Sequence, residues 1–192
     1  MASRFSTLSL EPVDAYVFID RIEPGAKIRH VLEDLFEQPG VRFVAQFVGS
    51  FVAFAAVHLP TLSDLHAAMA SDYANAGVHC TWSSVVIPGP LLPKRGSPDY
   101  CGLVRVKVSD DPREVLGRLV DNFQEWGEGR HVGSAVVTGE YDILLSLGSD
   151  VFDDVATAVL DIVRTTDGVA SSETAFAYLP GNAIERELPE HA

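Results

Sequence analysis

The chain lacks any apolar run approaching the ~20 residues that a membrane-crossing helix requires, and its first residues, MASRFSTLSLEP, lack the long apolar core of a secretory leader. A cytoplasmic protein without a membrane partner is the expectation. Positive charge is scarce: 14 Lys and Arg face 27 Asp and Glu, a formal net charge of −13. Such a surface repels phosphate backbones and forgoes the counterion release that drives nucleic-acid affinity, so no direct nucleic-acid partner is expected. Cysteine is limited to Cys80 and Cys101, and a chain with 47% apolar residues can build its core without a staple. Reduced, buried thiols are the expectation. The histidines (His30, His58, His66, His79, His131 and His191) show neither i, i+4 nor His-x-His spacing, so no metal is expected. Phosphate-cradling loops, Ser-His-Asp signatures and dinucleotide fingerprints are also missing, and no cofactor is expected.

What the chain does have is the stretch VVTGEYDILLSL, Val136 to Leu147. Small and β-branched residues precede a Gly139-Glu140 reversal, and an apolar run follows Asp142, which predicts a hairpin whose second strand lies mid-sheet. Ninety residues earlier stands QFVGSFVAFAAV, Gln46 to Val57, with Gly49 in the place of Gly139, Phe51 in that of Tyr141 and Val52 in that of Asp142. The same hairpin recurs without its charge.

Around these hairpins the periodicity alternates between strand and helix. Ala15 to Ile22 predicts a strand, and Ile28, Val31, Leu32, Leu35 and Phe36 share one helical face. Thr61 predicts the cap of a second helix and Gly77 its end; Val78 to Ile87 is the next strand. The pattern then repeats. GLVRVKV (Gly102 to Val108) is a strand, Asp111-Pro112 opens a helix, Asp150 is placed to cap another, and Ser171 to Leu179 is a final strand. The predicted fold class is α+β: two tandem ferredoxin-like βαββαβ units packed sheet to sheet as an intrachain pseudo-dimer, a dimeric α/β barrel. Residues 1–88 form the first unit, 89–99 a Pro- and Gly-rich linker, 100–181 the second unit and 182–192 a polar tail. Apolar residues such as Phe18, Phe54, Leu144 and Phe176, or their neighbours, are expected on the sheet faces that cover one another.

The second unit, with TGEYD (Thr138 to Asp142), a DGV turn (Asp167 to Val169) and a Ser172-Glu173-Thr174 strand start, resembles the effector-binding domain of the leucine- and asparagine-responsive (Lrp/AsnC) transcription regulators. In that family the Gly-x-Tyr-Asp hairpin borders a small-molecule pocket, often for amino acids, where dimers meet in a ring-shaped octamer. The resemblance implies a non-catalytic effector-binding module, not an enzyme, acting as a homo-oligomer or with related regulators. The thirteen residues before Asp14 leave no room for the family's helix-turn-helix, and the first unit lacks the motif aspartate.

The candidate ligand-binding residues are Thr138, Gly139, Glu140, Tyr141, Asp142, Ser172 and Thr174. Asp142 and backbone groups near Gly139 would capture the ammonium and carboxylate of an amino-acid-like ligand, with Tyr141 as a wall carrying a polar tip. Equally open is a plain hairpin whose glycine supplies a positive φ and whose acids are solvated. The alternative function is an enzyme of the dimeric α/β-barrel superfamily, cofactor-independent or haem-containing, because those enzymes share tandem or paired βαββαβ units.

Overall fold

The computed structural model describes residues 13–86, 98–124, 126 and 130–185. The N-terminal lead, most of the 89–99 linker, the end of the polar tail and His191 lie outside them. Among the described residues the elements are β1 (Val13–Ile22), α1 (Ile28–Phe36), β2 (Val41–Gln46), β3 (Val48–Gly49), β4 (Ala53–Leu59) and α2 (Leu62–Ala67). A π-helical segment (Ala68–Asp72) joins α2 to α3 (Tyr73–Asn75), and β5 (Val78–Val86) follows. Then come β6 (Tyr100–Val108), α4 (Pro112–Phe123), β7 (His131–Thr138), β8 (Ile143–Ser149) and α5 (Phe152–Ala158), which continues as a second π-helical segment (Val159–Val163). β9 (Val169–Tyr178) and β10 (Ala183–Glu185) close the order. No helix among these residues is long and apolar enough to cross a membrane.

The strands pair in the order β10-β2-β4-β1-β5-β7-β8-β6-β9-β3, antiparallel throughout. β1 lies between β4 and β5, and β6 between β8 and β9. Two seams join these sheets: Val85 and Val86 pair with Thr138 and Val137, while Val48 and Gly49 pair with Phe176 and Ala175. β10 reinforces the second seam by pairing with β2. Short strands used this way cover edges that would otherwise present unpaired N–H and C=O groups.

Period-2 alternation sorts the side chains into three apolar layers. Val17, Ile19, Val44, Ala55 and Val57 pack under the helices of the first half with Leu35 and Leu65. Val104, Val106, Ile143 and Leu145 do so in the second half with Val115, Leu119 and Val159. Between the sheets lie Phe18, Phe43, Phe47, Phe51 and Phe54, facing Leu103, Leu144, Ala175 and Ala177. The described residues are therefore α+β, with antiparallel sheets that share an apolar layer and carry helices outside it.

Two local expectations are corrected. Phe176 does not face the other sheet: it packs against Phe152, with ring centroids 5.2 Å apart, while Ala175 and Ala177 take the inward positions. A shift of one residue turns a strand side chain to the opposite face. Asp150 does not cap α5. Its Oδ1 accepts the Asp99 amide at 3.2 Å, and the Ser149 hydroxyl accepts the Val151 amide and donates to the Asp154 carboxylate. Thr61 behaves as its position predicts, accepting the Asp64 amide at 3.1 Å.

Candidate functional site

The inward face of β6 runs Cys101, Leu103, Arg105, Lys107, so the alternation that buries two apolar residues also carries a cation into the space between the sheets. Arg105 is only 4% exposed. Its guanidinium carbon lies 5.2 Å from the Phe18 ring centroid, 5.1 Å from Phe51 and 4.7 Å from Tyr141. Such contacts contribute about 0.5–2 kcal/mol each when desolvated. Burying an ion costs several kcal/mol unless it is paired, and the pair is supplied by β9: Arg105 Nη2 donates to Glu173 Oε2 at 2.7 Å. The Glu173 side chain is 49% exposed, so the ion pair reaches from the interior to solvent. Arg105 Nε is buried with no hydrogen-bond partner.

Tyr141 completes the group. Its ring also carries Lys107 Nζ at 5.1 Å, and Lys107 pairs with Glu140 at 3.1 Å. Burial pushes the Tyr141 phenol up to about 12, and the nearby Glu173 carboxylate adds to that rise against the opposing pull of Arg105. Arg105, Lys107, Glu140, Tyr141 and Glu173 thus form one connected set, with the rings of Phe18 and Phe51 behind it. A protonated phenol, a carboxylate near it and a guanidinium with a spare donor can together bind an anion and move a proton.

The seven residues singled out from the sequence divide. Glu140 and Tyr141 belong to this set. Thr138 is exposed at the end of β7 and pairs with Val85, and Gly139 makes the turn at φ +131°. Asp142 serves the hairpin: its Oδ2 accepts the Val108 amide at 2.9 Å, its N–H donates to the Val106 carbonyl and its carbonyl accepts the Val137 amide. Ser172 and Thr174 stand opposite Val106 and Val104 on the helix-facing side of the sheet, away from Arg105, with buried hydroxyl oxygens that have no partner. Arg105, Lys107 and Glu173 escaped the sequence reading. A signal existed, since Arg105 shares the alternation of Cys101 and Leu103 and occupies the strand place that Phe18 holds in β1.

Haem, which the alternative reading allowed, finds no buried imidazole among the described side chains. His30, His66 and His131 are exposed, and His58 Nδ1 sits 2.8 Å from Asp14 Oδ1 at an exposed position. None is buried between the sheets: His58 and His131 follow the inward alternation of β4 and β7 but stand at the rim of that layer. Cys101 is buried there, but that burial pushes its thiol up to about 11, and its sulfur lies 3.6 Å from the Ser146 hydroxyl. A neutral thiol is a poor axial ligand. Among the described residues no three His, Cys, Asp or Glu are grouped to hold a metal ion.

No protein-family model matches this sequence, and no curated protein matches it. Solved structures match its fold. The siroheme decarboxylase NirDL is similar at a TM-score of 0.63 and 12% identity, over 86% of this chain and 71% of that one. A mutant chlorite dismutase from Candidatus Nitrospira defluvii aligns at a TM-score of 0.55 and 11% identity, over 85% of this chain and 91% of that one. A putative monooxygenase from Lactobacillus acidophilus covers 92% of this chain and all of its own, at a TM-score of 0.50 and 12% identity. Escherichia coli AsnC, at a TM-score of 0.39, is too distant for an argument.

These findings correct the expectation of a non-catalytic amino-acid effector module related to the Lrp/AsnC regulators, and with it the expectation that the chain is not an enzyme. The better-matching folds are described as a decarboxylase, a dismutase and a monooxygenase. The physical reason lies in the hairpin. Asp142, on which ammonium capture rested, spends an oxygen and both backbone groups on holding the turn, while the buried charge is a cation that suits an anion.

Proposed function

We propose that this chain is a cofactor-independent enzyme of the dimeric α/β-barrel kind that moves a proton on a small organic acid, an isomerase-type reaction. The observation that carries the reading is Arg105: a guanidinium 4% exposed, with Nε unpartnered, paired with Glu173 and lying over the ring of the protonated Tyr141 phenol. In the reaction the substrate carboxylate pairs with Arg105 and frees Glu173, which takes a proton from the neighbouring carbon. Tyr141 hydrogen-bonds the oxyanion that develops, and Glu173 returns the proton to carbon, so no oxidant or other reagent is consumed. We also read residues 1–88 and 100–181 as two fused βαββαβ units joined by the 89–99 linker. Support comes from the matched placement of β1 and β6 in their sheets and from π-helical segments at Ala68–Asp72 and Val159–Val163.

The test is solvent exchange. Wild-type protein incubated in D2O with a panel of 2-oxo and unsaturated carboxylic acids should exchange a carbon-bound proton of at least one, read by proton NMR. Tyr141→Phe should slow that exchange about 10²-fold, the usual worth of one acid–base group, and Arg105→Met should abolish it. A folded wild type that exchanges no member of the panel overturns the proposal.

A further inference from the structure

The set holds two cations rather than one, and their arrangement bears on what kind of acid fits. Arg105 and Lys107 stand two apart on β6, on the same side of the strand and about 7 Å apart along it. Both lie over the same Tyr141 ring, at 4.7 and 5.1 Å from its centroid. Each is countered by one glutamate from a different element, Glu173 on β9 for Arg105 and Glu140 in the hairpin for Lys107. The carboxylates differ from the guanidinium in one respect: Arg105 is locked in the interior, whereas Glu173 is about half exposed and Glu140 one-third exposed. Either acid can itself turn to water; Arg105, buried, then needs another anion in its place, while Lys107 stays solvated and free to take one. Asp142, the other acid at this place, is tied to the Val108 amide.

We propose that the site takes a short dianion, a dicarboxylate or its equivalent, whose two acidic groups exchange for Glu173 at Arg105 and for Glu140 at Lys107. This rests on reading the set as an anion-binding active site and adds the substrate class. The two glutamates serve as built-in stand-ins that keep the cations paired when the site is empty. The unpartnered Arg105 Nε is the donor that a ligand carboxylate can satisfy and that the single Glu173 contact leaves unused.

Titration calorimetry of the full chain with glutarate and with butyrate tests the idea without turnover. Wild type should bind glutarate about fivefold more tightly than butyrate, the worth of one further rim ion pair. Lys107→Met should erase that preference while leaving butyrate binding in place, and Glu140→Gln should sharpen glutarate binding by removing a competitor. Equal affinities for the two acids, no binding of either, or a preference that survives Lys107→Met overturns the proposal. The two readings separate cleanly. A protein that exchanges protons on monocarboxylates but shows no glutarate preference keeps the enzyme and loses the dianion. One that prefers glutarate through Lys107 but exchanges nothing keeps the dianion site and loses the isomerase.

Discussion

The two hairpins share a backbone and differ in chemistry. In the first, the Phe47 amide donates to the Val52 carbonyl at 2.9 Å and the Val52 amide to the Ile19 carbonyl at 2.8 Å; in the second, Val137 donates to Asp142 at 2.9 Å and Asp142 to Val106 at 2.9 Å. Phe51 and Tyr141 occupy the same place and are both buried. On the strands beneath, Phe18 pairs with Phe54 as Arg105 pairs with Leu144. One half therefore offers aromatic surface where the other offers charge, and both meet at a single guanidinium. The first half thus adds two aromatic contacts to an ion whose counter-charge, Glu173, comes from the second.

The largest expected effect tests that division at the matching strand positions. Phe18→Ala removes a ring packed against Phe51 and Phe54 and should cost about 3–5 kcal/mol in urea denaturation. Arg105→Met should change stability far less, within about 1 kcal/mol in either direction, because a buried ion pair replaced by an apolar side chain of similar length is often neutral. Its Glu173 partner can turn to water. Equal losses at the two positions would mean that Arg105 is a packing residue like Phe18.

Gly49 sharpens it at the turn. Both turn glycines have positive φ, 140° at Gly49 and 131° at Gly139. At Gly49 an added Cβ would also lie 2.7 Å from the Thr174 carbonyl oxygen and 2.8 Å from the Ala175 Cα, across the seam with β9. Gly49→Ala should cost about 1–3 kcal/mol through backbone strain, with the seam clash added. A melting temperature within a degree of wild type would show that the β3–β9 pairing adds little to the join between the sheets.

Much of this was legible in the sequence, and the reasons differ by element. The helices announced themselves because Ile28 to Phe36 and Val115 to Phe123 repeat at 3.6 residues, a signal that tertiary contacts reinforce. β3 and β10 did not, because strands of two and three residues have no period and exist only to cover an edge. The hairpin motif drew attention to Asp142, the residue with the charge, whereas the fold assigns it to the turn. Arg105 and Lys107 lay hidden in GLVRVKV, where alternation is the ordinary mark of a half-solvated strand. Only the second sheet makes that polar face an interior. Ser172 and Thr174 lie on β9, which β6 separates from the hairpin strands, and their side chains share the face of Val106 and Val104.

A smaller effect concerns two phenols, one in each half. Burial pushes the Tyr73 hydroxyl up to about 12, with Asp72 adding to the rise, and Tyr141 is raised to about 12 as well. A phenol whose folded pKa exceeds the unfolded value of about 10 keeps its proton longer when folded, so stability is intact below pH 10 and declines from there through pH 12. Denaturation series at pH 9, 10.5 and 12 should show that decline. Tyr73→Phe and Tyr141→Phe should each flatten it. A slope unchanged in Tyr141→Phe would detach the phenol from the Glu173 carboxylate and leave the alkaline loss to the first half alone.

The smallest expected effect lies at the rim. Lys107 pairs with Glu140 at 3.1 Å, but its side chain is 41% exposed, so water screens most of the attraction. Removing such a pair changes stability by about 0.2–1 kcal/mol, and half-molar salt should mask much of the difference. Lys107→Met should therefore melt close to wild type, with the gap closing as salt is added. That contrast is informative because Lys107 and Arg105 touch the same ring. A cation that contributes little to stability yet sits beside one locked in the interior has its use in what it binds, and the salt series separates the two roles: the stability gap should close with salt, whereas the loss of glutarate preference in Lys107→Met should persist at low ionic strength. A drop of several degrees that salt leaves untouched would instead make Lys107 a structural prop of the second hairpin, with no more ligand chemistry than the first has.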